Sequence, residues 1–98
     1  MFENDRYLTR GVEEHIPLAL QLMMWELIEE ARKKVELDYL QVFNISQDNN
    51  NGLTRIIHEQ EQPEYRREMF ALCGSTDNYK VFVIDDGSHS TMLLAEEY

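Results

Sequence analysis

The sequence predicts an α+β domain: one main amphipathic helix packed on a largely antiparallel sheet of about five strands. Three observations predict it. Only residues 17–35 repeat their apolar positions at three- and four-residue steps, the helical period. Most of the chain beyond this segment comes in short runs rich in β-branched and aromatic residues. Short polar turns join those runs, so neighbouring strands are expected to fold back on one another beneath the helix.

Residues 6–10, ending at Gly11, read as a first short strand, and residues 12–16 as a connection. Pro17 suits the first turn of a helix, where its missing N–H costs nothing. Within the helix, Leu20, Met24, Leu27, Ile28, Ala31 and Val35 share the face expected against the sheet. Glu13 and Glu14 lie ahead of this helix and Arg32, Lys33 and Lys34 close it, which suits its dipole. Residues 39–45 read as a strand and 47–52 as a loop whose Asn-Gly end favours positive φ. Residues 53–61 form the next strand, polar toward its end, hence half-exposed or at an edge. Pro63 breaks the ladder. Residues 65–73 fit strand or helix, and strand is preferred because the neighbours are strands. Residues 80–84, an unbroken apolar run, predict a strand that is buried on both faces or central. Residues 85–88 form a turn and 91–94 the last strand.

Ninety-eight residues make a single domain, 1–98, large enough for one core without staples. Nineteen acidic residues against nine basic ones give a net charge of −10, spread over both halves of the chain. Such a field repels phosphate backbones, so nucleic-acid binding is not expected. The sequence also predicts no membrane span, no signal peptide and a cytoplasmic location. Cys73 is the lone cysteine and reads as a small buried apolar residue.

The richest chemistry lies at residues 85–90. Asp85, Asp86 and His89 could bind a metal or act as acid and base in a small hydrolase. Asp-Gly is nevertheless ordinary hairpin chemistry, and a metal needs further convergent ligands that the sequence does not supply. Ser88 and His89 are expected on opposite faces of a strand and so cannot act as nucleophile and base. His58, on a polar strand, reads as a solvated surface group. No phosphate loop, nucleophile elbow or zinc spacing occurs, so no cofactor and no small-molecule ligand is predicted.

A second helix stripe remains. Leu18, Leu22 and Trp25 follow the helical step nearly half a turn from the core stripe. They are covered either by the chain's own termini or by another chain. This face supports the leading expectation, a non-enzymatic protein-binding or adaptor domain that meets a protein partner or forms a weak homodimer. The rivals are the small metal-dependent enzyme at Asp85, Asp86 and His89 and an acidic decoy for a nucleic-acid-binding protein.

Several strings have a family look. Residues 7–12, 16–18, 37–43 and 83–87, together with the C-terminal Ser90-Thr91-Met92-Leu93-Leu94-Ala95-Glu96-Glu97-Tyr98, resemble a small family of Gram-positive bacteria, domain of unknown function 960. The resemblance runs nearly end to end. It implies a bacterial cytosolic protein and supplies no activity, cofactor or catalytic residue.

Overall fold

The structure, a computed structural model, describes residues 1–48, 50–72 and 77–98. The expectation for Cys73 falls outside these residues. Six strands form one sheet: β1 (Asp5–Leu8), β2 (Leu40–Asp48), β3 (Leu53–Gln60), β4 (Tyr65–Ala71), β5 (Tyr79–Asp85) and β6 (His89–Leu94). Their order is β1-β6-β5-β2-β3-β4. Every pairing is antiparallel except β1 with β6, which is parallel and sets Arg6 opposite Ser90 and Leu8 opposite Met92. The sheet thus has six strands where about five were expected. Residues 65–71 are strand, at one edge, and β3 lies one place inside that edge.

Two helices, not one, cross one face of this sheet. The segment expected as a connection contains α1 (Arg10–His15), capped by the Thr9 hydroxyl, which accepts from the Val12 N–H. Gly11 conceals it in the sequence, because glycine is a poor helix former. The Glu97 carboxylate, from a short C-terminal 3₁₀ turn, holds this start. It accepts from the Thr9 hydroxyl at 2.6 Å, the Gly11 N–H at 3.0 Å and the Leu94 N–H at 2.8 Å. The main helix, α2, spans Leu18–Arg32. It ends three residues short of the expected limit, in a turn closed by the Val35 N–H on the Ala31 carbonyl.

The helix phase is as expected: Leu20, Met24, Leu27, Ile28 and Ala31 are all buried. They join Val12 and Ile16 of the first helix and the inward residues Phe43, Ile45, Ile56, Val81, Val83, Met92 and Leu94 of the sheet in one core. β5 is central in the sheet, but only its Val81, Val83 and Asp85 side is buried. Its Phe82 and Ile84 side is half-buried, because α1 and α2 both lie on the opposite face.

Candidate functional site

The turn after β5 divides its two carboxylates between different tasks. Asp85 is inward, as strand alternation requires after Val81 and Val83. Its Oδ2 accepts the Phe2 N–H at 2.7 Å, and its Oδ1 accepts the Gly87 N–H at 2.8 Å and the Asn4 amide at 3.1 Å. Asn4 in turn accepts the Ser90 hydroxyl at 2.6 Å. Burial raises the Asp85 pKa, but the Phe2, Gly87 and Asn4 hydrogen bonds outweigh it and hold the group below its ordinary value. The arm so anchored seats Phe2 in the core with no exposed surface, at a left-handed φ of 63° that a non-glycine residue rarely adopts. A depression of about 490 Å³ beside the arm is lined by Met1, Glu3, Asn4, Asp85 and Gly87.

Asp86 is exposed and builds the turn itself. Its Oδ1 accepts from the Ser88 N–H, the Ser88 hydroxyl and the His89 N–H. These bonds, the Ser88 N–H first, draw its pKa down to about 2. Ser88 Oγ lies 2.9 Å from His89 Nδ1, contrary to the expectation that the two cannot meet. Ser88 sits in the turn, where strand alternation does not apply. The carboxylate can only accept, so it takes the hydroxyl proton, and Oγ then accepts from the imidazole. That is the reverse of a base drawing a proton from a nucleophile. Asp86 Oδ2 also lies 3.4 Å from His89 Nε2, so Asp86, Ser88 and His89 meet at the surface of the turn, whereas Asp85 points inward and does not join them. No group of three or more His, Cys, Asp or Glu side chains suited to a metal occurs among the described residues.

His58 is a correction. It is fully buried, because inward Ile56 brings His58 and Gln60 to the same face two and four residues on. Its ring stacks on Phe43 at 4.4 Å and meets Tyr65 edge-on at 5.6 Å. The Gln41 amide fixes the tautomer. Gln41 Nε2 donates to the Asp38 carbonyl and to Gln60 Oε1, so Gln41 Oε1 must accept from His58 Nε2–H at 2.6 Å. Among the described residues, His58 Nδ1 has no hydrogen-bond partner. Burial, helped by Arg67, pushes the pKa down to about 4. Gln60 completes the cluster by donating to the Glu36 and Pro63 carbonyls. These bonds tie the α2–β2 connection to the β3–β4 turn.

The second helix stripe splits. Leu18 and Leu22 are 65% and 60% exposed, whereas Trp25 is 8% exposed and belongs to the core. At about 100° per residue, Trp25 stands between exposed Leu18 and buried Gln21. The Arg6 guanidinium of β1 lies 4.6 Å over its ring, held by Glu29 at 3.0 Å. Arg32 and Arg6 keep the Glu29 carboxyl below its ordinary pKa. Trp25 is thus covered by its own chain, and the expected three-residue face reduces to Leu18 and Leu22.

A second, half-buried apolar surface lies on the sheet. Val42 pairs with Phe82 and Phe82 with Leu93, while Leu40 pairs with Ile84, all on the face away from the helices. Tyr98, itself 80% exposed, meets Phe82 edge-on at 5.7 Å, the Lys80 ammonium lies 5.9 Å over the same ring, and Leu93 is buried. Toward β4 the face becomes polar, with ion pairs Arg55–Glu68 and Arg66–Glu59. The signal for this surface was the unbroken run at 81–84. A strand apolar on both sides, beneath helices on one side only, leaves the other side open.

Comparison with known proteins comes to the same fold without a function. The family model for staphylococcal proteins of unknown function, DUF960, matches residues 5–97. A crystal structure of a protein of unknown function from Enterococcus faecalis is similar with a TM-score of 0.86 and 25% identity, over 98% of this chain and 92% of that one. No curated protein matches. No helix among the described residues is long and apolar enough to cross a membrane.

Proposed function

We propose that this chain, which belongs to the DUF960 family of staphylococcal proteins of unknown function, is a non-enzymatic protein-binding domain that docks on the open face of its sheet. The observation that carries this reading is the half-buried cross-strand pair Phe82–Val42, with Leu40 and Ile84 beside it and buried Leu93 at its end, on the face away from both α1 and α2. A sheet face built only for water alternates polar residues with the apolar ones beneath. Here Leu40, Val42, Phe82, Ile84 and Leu93 stand together on three adjacent strands, with the polar Asn44, Lys80 and Thr91 around them. Binding is favoured over catalysis because Asp85 and Asp86 spend their hydrogen bonds on the arm and the turn. Leu18 and Leu22 supply a smaller second patch of two side chains.

Hydroxyl-radical footprinting tests the reading. Labelling of Phe82, Ile84 and Tyr98 is compared between dilute purified protein and the same protein in a lysate of its source cells. Docking predicts several-fold protection of these residues in the lysate, lost in Val42→Lys. Full labelling of these residues in both settings refutes the reading. Protection confined to Leu18 and Leu22 transfers the contact to the helix.

A further inference from the structure

Resting on the reading of the open sheet face as a docking surface, we infer that its occupant is a second copy of this chain, stacked sheet on sheet. Charge carries the argument. The molecule bears −10, a field that should oppose self-association through most of its surface. On the open face, however, the strand residues nearly balance: Arg55, Arg66 and Lys80 stand against Asp5, Asp48, Glu59 and Glu68. Most of the −10 therefore lies on the helices, loops and turns, and not on this face. A strongly basic partner would be drawn to those acidic regions, whereas a like-charged copy meets least repulsion here.

Size and layout agree with charge. Six strands at about 4.8 Å spacing and about 3.3 Å per residue give a projected face of roughly 600–700 Å². Its corrugated accessible area is larger, comparable with the about 800 Å² per partner of a stable interface. The apolar residues flank Phe82 on both sides, so a two-fold axis in the interface plane passes beside it. The apolar strands of one copy then lie about 10 Å above those of the other, as in packed sheets. The Arg55–Glu68 and Arg66–Glu59 pairs fall at the rim, where polar groups belong. Tyr98, already lying across Phe82, becomes an aromatic of the interface.

Sedimentation equilibrium of the full chain across a concentration series tests this. The expected result is a reversible dimer of twice the 11.7 kDa chain mass. Its dissociation constant should fall as salt rises from about 50 to about 500 mM, because salt screens the repulsion between two acidic bodies more than it affects a nearly neutral face. Val42→Lys and the milder Thr91→Lys should each give monomers with the circular dichroism of the folded protein, and Leu18→Ser/Leu22→Ser should still dimerise. A monomer at every concentration overturns the inference, as does a dimer that survives both lysine variants. A monomer whose sheet face is still protected in lysate overturns the self-pairing alone. A monomer without that protection removes the docking reading as well.

Discussion

Lowering the pH from 7 to 5 probes the buried face of His58. The ring is fully enclosed, its Nε2–H is committed to Gln41, and among the described residues its Nδ1 has no hydrogen-bond partner to stabilise a proton. Arg67 adds positive charge nearby. The unfolded chain binds a proton at the ordinary value of 6.5, whereas the folded chain resists until about 4. Stability from this group is therefore complete above pH 6.5 and is lost as pH falls, because the unfolded state takes up the proton first. Linkage gives a loss of about 2 kcal/mol by pH 5, approaching about 3 kcal/mol near pH 4. Urea unfolding at pH 7, 6 and 5 reads the loss, above the range where carboxylates begin to protonate. His58→Gln keeps an amide donor for Gln41 and removes the titration, so its stability should fall less across the same range by about that amount. Proton NMR of the ring gives the pKa directly. A titration near 6.5, or a pH slope unchanged in His58→Gln, would show that the enclosure inferred for this ring is wrong.

Three further outcomes test the fold and the assignments made from it. Leu27→Ala should cost about 2–5 kcal/mol in urea unfolding and Trp25→Ala about 3–5, since both side chains are core; Leu18→Ser/Leu22→Ser should stay within about 0.5 kcal/mol, as exposed sites do. Asp85→Ala should cost at least about 2 kcal/mol, because a buried carboxylate that accepts the Phe2 N–H is removed. It should also release the arm, seen as faster hydrogen exchange at Phe2 and Asn4, and zinc, manganese or magnesium should not raise the wild-type melting temperature. In Gly11→Ala the new methyl would meet the Glu97 carboxylate at 2.6 Å and swing that side chain away. The predicted cost is about 1–2 kcal/mol through lost capping bonds, with Glu97→Gln/Gly11→Ala little worse than Gly11→Ala alone.

What could be read from the sequence was what local period controls. Leu20, Met24, Leu27, Ile28 and Ala31 recur every three or four residues and are all buried, so the helix phase was legible without any partner in view. The strands were legible for the same reason. The parallel β1–β6 pair was not, because Arg6 and Ser90 meet only once the whole chain has closed. Trp25 failed for a related reason. Its angular position on the helix is ambiguous, and the group that covers it, Arg6, comes from a strand nineteen residues earlier that no local pattern links to it. His58 was different, since the information was present. Alternation from Ile56 points His58 and Gln60 inward, but their polarity suggested solvent. Two glutamines that satisfy one another and the backbone make that burial tolerable.

The candidate site reflects the same contrast between local chemistry and long-range cover. The turn at residues 85–89 gathers acids, a hydroxyl and an imidazole within five positions, and so draws attention in a sequence. Its geometry divides them: Asp85 turns inward to hold Phe2, while Asp86, Ser88 and His89 stay together outside and close the hairpin. The open sheet face has no chemical group that stands out, only an apolar run at residues 81–84 longer than one-sided burial requires. Both helices already fill the inward side, Val12 from α1 and Leu20, Met24 and Leu27 from α2, in one core with Val81 and Val83. Phe82 and Ile84 therefore cannot be explained by the chain's own core. Replacing them with threonine should cost the isolated monomer little more than about 1 kcal/mol each, because they are only half-buried there. If the doubly substituted protein is instead unfolded in dilute solution, where no second chain is present, the face belongs to the monomer's own stability and the case for docking on it fails.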